Sequence, residues 1–147
     1  MARISAVCEP DLFTITVEGD LTYEEIVATI RFYYSPALPA DMLWDLSRGS
    51  LNTITVEHFR AVAALAKTVV QHRDGGRTAY VGGHDVVFSL MCMYTALAAL
   101  ADVPIEYSVF KTVFEARQWF AEQREADKAE AADTRPPWIR TSPRVKV

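Results

Sequence analysis

Two stretches carry residues that could do chemistry. "WDLSRGSLNTITVEHF" sets Asp45, Ser47, Arg48 and Ser50, then Thr53 and Thr55, between an apolar run and a helical pattern. "VGGHD" places His84 and Asp85 behind Gly82 and Gly83, and Lys111 follows the last β-prone run. Serine, histidine and aspartate on one rim suggest hydrolysis. A hydroxyl at a helix start suggests a phosphoacceptor, since that end stabilises added negative charge. A glycine turn before a helix suggests a phosphate cradle.

The spacings argue against each. No G-x-S-x-G elbow is present, and neither G-x-G-x-x-G nor a P-loop occurs. Asp85 at the helix start would repel the anion that the dipole attracts, so "VGGHD" reads as a tight turn with Asp85 as N-cap. Thr55 is the matching cap for the helix before it. His58, His72 and His84 show no metal-ligand spacing, and His72 reads as a cation near a helix C-terminus. No metal or cofactor is expected, and the sequence favours a protein that is not an enzyme. Ser47, Ser50 and His84 sharing a rim leaves hydrolysis open.

The elements that position these residues follow from period and punctuation. "RISAVC" and "LFTITVEG" flank the turn triplet Glu9-Pro10-Asp11 and read as a β-hairpin. Thr22 and Glu25 fit a capping box for a helix with Ile26, Val27, Ile30, Tyr33 and Tyr34 at helical spacing, ended by Pro36 and Pro39. "DMLWDL" is strand-like. Val56, Phe59, Val62, Ala63, Ala66, Val69 and Val70 mark a second helix, closed by "HRDGGR". "TAYVGG" is a strand, a third helix follows, and "IEYSVF" is the last strand. Thr112 and Glu115 cap a final helix that fades into "AEQREADKAEAAD" and a proline-rich, basic tail carrying Trp138. The fold class is α/β: a mixed, mostly parallel sheet of about five strands with about four helices. A domain over 1–121 is expected, with 122–147 as helical extension and tail.

Composition narrows the partners. Of 147 residues, 50% are apolar and 23% charged, with net charge −4. That balance suits a globular domain and opposes a nucleic-acid binder, which needs a basic face. Cys8 and Cys92 form no metal or redox motif and read as buried free thiols in a reducing cytoplasm. No signal peptide or membrane span is expected: the longest apolar run, between Asp85 and Asp102, is too short and carries polar groups. That run, "VVFSLMCMYTALAAL", is apolar nearly all round. Such a helix is core on both sides, a homodimer interface, or the wall of a pocket for an apolar ligand. Phe88, Met91, Met93 and Tyr94 are its interface or pocket candidates.

The element order and three patterns resemble the STAS superfamily, specifically its SpoIIAA-like branch. The patterns are "LWDLSRGS", "FSLMCMYTALAAL" and "VFKTVFEARQWF", the last with Phe110, Ala116, Trp119 and Phe120. The resemblance spans about residues 3 to 121. It implies a non-enzymatic interaction or regulatory module. STAS domains similar to anti-sigma-factor antagonists carry a phosphorylatable serine in the turn after the central strand. Here Asn52, Thr53, Ile54 and Thr55 replace that pattern, so a clear phosphoacceptor serine is missing. An arginine common in the third helix of the branch is replaced near Cys92. The branch also resembles lipid-binding CRAL-TRIO domains, which keeps a small-molecule or lipid carrier as the alternative.

Overall fold

The computed structural model describes residues 2–70 and 76–139. The order is β1 (Arg3–Cys8), β2 (Phe13–Asp20), α1 (Tyr23–Tyr33), β3 (Asp41–Ser50), α2 (Val56–Val69), β4 (Gly76–Val81), α3 (Asp85–Leu100), β5 (Ile105–Phe110) and α4 (Val113–Ala132). The five strands form one sheet in the order β1-β2-β3-β4-β5. β1 pairs antiparallel with β2, and the other three pairings are parallel. This is the mixed, mostly parallel α/β architecture expected of a SpoIIAA-like chain.

A strand order that never reverses has a physical consequence. Right-handed crossovers put every connecting helix on the same side of such a sheet. Accordingly α1, α2 and α3 together line a single cavity against Trp44 and Leu46 of β3, Thr78 and Tyr80 of β4, and Tyr107 of β5. Register aligns that face: Ile15, Trp44 and Tyr80 are neighbours across β2, β3 and β4. On the opposite face Leu43, Ala79 and Val81 are fully buried. There Asp41 and Arg77, neighbours in register, form a buried ion pair at 3.9 Å.

β3 runs farther than its apolar stretch predicts. "SRGS" was expected to be turn; Ser47, Arg48 and Ser50 are strand. The pairing of β2 with β3 shifts between Thr16↔Asp45 and Glu18↔Arg48, so Leu46 and Ser47 together oppose Val17. The strands then pair on to Asp20↔Ser50. The extra residue flips the alternation, which lets Leu46 and Leu51, five positions apart, both line the cavity. Gly49 permits the close approach: a Cβ there would lie 3.3 Å from the Val17 carbonyl oxygen.

Local chemistry fixes the helix starts. Thr22 and Glu25 form the expected capping box, and Glu25 also accepts from the Ala2 N–H. Thr55 caps α2, with His58 in the place usually held by glutamate: its Nδ1 accepts from the Thr55 N–H at 3.1 Å. Asp85 is not the cap of α3. His84 holds that position in extended backbone and makes no side-chain cap bond. The Asp85 carboxylate is drawn instead to Lys111 beyond β5. Of the "HRDGGR" expected to close α2, Gly76 and Arg77 belong instead to β4; the rest of that stretch, His72 included, lies outside the described residues. Among the described residues no helix is long and apolar enough to cross a membrane.

The chain divides into two compact units, Met1–Ala116 and Arg117–Val147, with α4 beginning in the first and continuing into the second. In the second, Trp119 packs on Phe120 with ring centroids 5.0 Å apart, and Arg124 lies over the Phe120 ring. Trp138 is exposed.

α3 ends in a Schellman turn: the Val103 N–H reaches the Ala98 carbonyl and the Asp102 N–H reaches that of Ala99. Asp102 takes the left-handed conformation, φ 58°. A non-glycine residue there is strained, and a negative charge at a helix C-terminus opposes the dipole. Asp102→Gly should therefore raise stability by about 0.5–1 kcal/mol, after the added unfolded-state freedom of glycine is subtracted. Urea unfolding of the two proteins checks this; a loss of stability would show that the aspartate makes a compensating interaction.

Candidate functional site

The carboxyl ends of the parallel strands form the rim where ligands usually bind in open α/β sheets. The candidates there are bonded mainly to one another. Asp45 Oδ1 accepts from the Ser47 hydroxyl at 2.6 Å and from the Ser47 N–H at 3.0 Å. Asp20 Oδ1 accepts from the Ser50 hydroxyl at 2.8 Å and the Asn52 N–H at 2.9 Å, tying β2 to the loop before α2. Asp85 pairs with Lys111, whose ammonium also sits 4.6 Å over the Phe88 ring. Arg48 pairs with Glu18 across the strands.

Ser47 donates to Asp45, and His84 stands at the N-cap position of α3 without a side-chain cap bond. Gly82 and Gly83 are accounted for by packing. A Cβ on Gly82 would lie 2.7 Å from the Phe88 nitrogen, and one on Gly83 would lie 2.9 Å from the Ser47 carbonyl oxygen. Thr53 is exposed, whereas the Thr55 hydroxyl is occupied by the α2 cap. His58 stacks on Tyr23, with ring centroids 4.6 Å apart and planes 11° from parallel.

A second region lies beneath the helices. The cavity is walled by Ile26, Ile30 and Tyr34 from α1 and its cap, by Phe59, Val62 and Ala66 from α2, and by Met91 and Tyr94 from α3. Its floor is Trp44, Thr78, Tyr80 and Tyr107. The Trp44 indole N–H donates to the Tyr34 hydroxyl at 3.2 Å. Tyr80, Tyr94 and Tyr107 form a ring cluster with centroids 5.8 to 6.1 Å apart. Burial pushes the Tyr94 phenol well above its ordinary range, and its neighbours Tyr107 and Tyr34 add to this. It therefore stays neutral.

α3 divides the candidates drawn from it. Met91 and Tyr94 face inward and line the cavity. Met93 faces outward with Val86 and Leu100, at 40%, 69% and 81% exposure. Phe88 lies half-buried under Lys111. Both cysteines are exposed, not buried: Cys8 closes the outer edge strand, and Cys92 sits on the solvent side of α3. Sequence reasoning missed Trp44, Thr78, Tyr80 and Tyr107 as one surface. The signal was the alternation within "TAYV" and "IEYS", which sets Thr78, Tyr80 and Tyr107 on the same face once register is known.

No family model matches this chain. No curated protein matches it either. Among solved structures it is similar to an uncharacterised protein of the DUF3478 family with a SpoIIAA-like fold from Shewanella loihica PV-4. The two are 15% identical, the match covers 80% of this chain and 92% of the other, and the TM-score is 0.49.

The Asn52 N–H and the Ser50 hydroxyl hold the Asp20 carboxyl below its usual pKa. A carboxylate depressed in the folded state stabilises the fold above its unfolded pKa, and the benefit vanishes as pH falls through the folded value. Asp20→Asn should lower Tm at pH 7, with the deficit fading as pH falls below about 4. Melting curves from pH 2 to 8 test this. A deficit that persists undiminished at pH 2 would mean the charge is irrelevant.

Proposed function

We propose that this chain is a non-enzymatic STAS-like interaction module that pairs with a second copy of itself along the outer face of α3. The observation that carries the reading is the spacing of that face. Val86, Leu90, Met93, Leu97 and Leu100 follow one another at intervals of four, three, four and three; Val86, Met93 and Leu100 are exposed, and Leu90 and Leu97 are half-buried against the core. This is the a/d seam by which helices pack in pairs. Ser89 and Ala96 flank it and allow close approach. Within the 16 residues of α3 the one charged side chain is Asp85, at its first position and paired with Lys111. The matching surface is thus another uncharged helix, which a second α3 supplies. Antiparallel pairing about a two-fold axis near Met93 also sets opposite dipole ends together.

The rim supports the same reading by what its residues do: Asp45 holds Ser47 and Asp20 holds Ser50 within the scaffold. A second reading, a small-molecule binder, draws on the aromatic cavity beside α3. Its size decides the kind of ligand. The cavity has a volume of about 40 Å³, enough for a few waters. An acyl chain needs more, since ordinary ligand pockets run to roughly 300–1,000 Å³.

Light scattering should find a dimer at micromolar concentration. Met93→Glu and Met93→Lys should each give a folded monomer, with the dimer Kd weakened on the order of 100-fold by an unpaired interface charge. Mixing the two variants should restore a heterodimer. Wild-type protein that stays monomeric, or variants that stay dimeric, would remove the pairing.

A further inference from the structure

We infer that β1 is a docking edge for a second copy of this chain, with the two β1 strands paired antiparallel about a two-fold axis at Ala6. This goes beyond the α3 pairing and uses the other side of the molecule: β1 is the first strand of the sheet, whereas α3 packs on β5, the last. Among the described residues no strand lies beyond β1. Natural sheets blunt such edges with proline, lysine or a bulge. "RISAVC" holds neither proline nor lysine. Its register with β2 runs without a shift from Arg3↔Glu18 to Cys8↔Phe13.

The hairpin decides which backbone groups face outward. The Glu9 N–H donates to the Leu12 carbonyl at 2.9 Å, so these two residues form a hydrogen-bonded pair. Hydrogen-bonded and non-hydrogen-bonded pairs alternate along an antiparallel ladder. Val7, Ser5 and Arg3 therefore turn their N–H and C=O groups toward β2. Cys8, Ala6 and Ile4 turn theirs outward. Ala2 continues the outward series, but its N–H is taken by the Glu25 carboxylate at 3.2 Å.

One register satisfies this edge. An axis at Ala6 sets Ile4 against the partner's Cys8, Ala6 against the partner's Ala6, and Cys8 against the partner's Ile4. Every outward residue then meets an outward residue, and each such pair exchanges two N–H···O bonds. An axis at Ser5 would bring in Ala2, whose N–H is already used. An axis at Val7 would set Ile4 against Pro10, which has no N–H.

The side chains agree with the same register. Residues directly opposite share a face of the sheet. On one face Ala6, Ile4 and Cys8 meet as small or apolar groups. On the other, Val7, 60% exposed, meets Ser5, and Arg3 stands against the partner's Glu9. That last pair answers a local imbalance of charge. Arg3 and Arg48 both lean on the single carboxylate of Glu18, each at 3.7 Å. The partner's Glu9 supplies a second negative group, once at each end of the paired strands.

A strand contact of this length is small beside the interfaces of stable dimers, so association should appear at roughly 0.1–1 mM. The full chain carrying Met93→Glu separates it from the α3 seam. Sedimentation of that protein across this range should show a dimer. Ala6→Pro, added to it, removes an outward donor and no bond to β2, and should weaken association at least tenfold. Arg3→Glu and Glu9→Arg should each weaken it severalfold by setting like charges opposite. An equimolar mixture of those two should restore it, because both cross-strand pairs are then opposite in sign. Amide exchange gives a readout that needs no variant of β1. Ile4, Ala6 and Cys8 should exchange more slowly as concentration rises, while Ser5 and Val7, bonded to β2, stay protected throughout. A protein that remains monomeric up to about 1 mM would overturn the inference. So would exchange at Ile4, Ala6 and Cys8 that ignores concentration, or association that Ala6→Pro leaves intact. A dimer that survives Met93→Glu and is lost with Ala6→Pro would support β1 pairing whatever becomes of the α3 seam.

Discussion

The unreversed strand order is the constraint on which the rest depends. With β1 to β5 laid down in sequence, three crossovers of one hand crowd α1, α2 and α3 onto one face of the sheet. Three helices in a row give the middle one two helical neighbours and the outer ones one each. α3 packs on α2 and on β5, so one flank of it has no further helix in the layer. A sequence apolar on all sides is then half core and half surface. That explains why Val87, Met91, Tyr94 and Ala98 are buried while Val86, Met93 and Leu100 are not.

The same layer explains the cavity. Helices bridging successive strands of a twisted sheet cannot follow it everywhere, and large rigid rings fill the remaining space less completely than branched aliphatics. Here the sheet contributes Trp44, Tyr80 and Tyr107 beneath Ala66 of α2, a small residue where a larger one would close the gap. The rings are held by polar bonds as well as by packing: the Trp44 indole reaches Tyr34 at the end of α1. Opposite them the bulge in β3 turns Leu51 inward after Leu46. One inserted residue thereby completes the wall and carries the rim residues from loop into strand.

Much of the fold was legible because its signals are local. Capping at Thr22 and Thr55, the proline stop after α1, and the helical stripe of α2 each depend on residues within a few positions of one another. What failed to show was set by partners distant in sequence. Asp85 reads as an N-cap until Lys111, 26 residues later, takes its carboxylate. Ser50 reads as a turn residue until Asp20, 30 residues earlier, pairs with it. Cys8 reads as buried because its strand looks apolar, yet it lies at the open edge of the sheet. The aromatic cavity needed register among three strands, which periodicity within a strand does not supply.

The rim side chains are tied mainly to one another and to nearby backbone. The Ser47 hydroxyl donates a hydrogen bond to Asp45 Oδ1, and the same oxygen accepts from the Ser47 N–H. Both bonds close locally around the bulge in β3. Asp20 does the corresponding work one strand over, and Gly83 is pressed so near the Ser47 carbonyl that no side chain fits between them. Opening any of these contacts to reach a substrate would loosen β3 where it bulges. The exposed flank of α3 is free of such ties: Val86, Met93 and Leu100 have apolar side chains that hold no hydrogen bond.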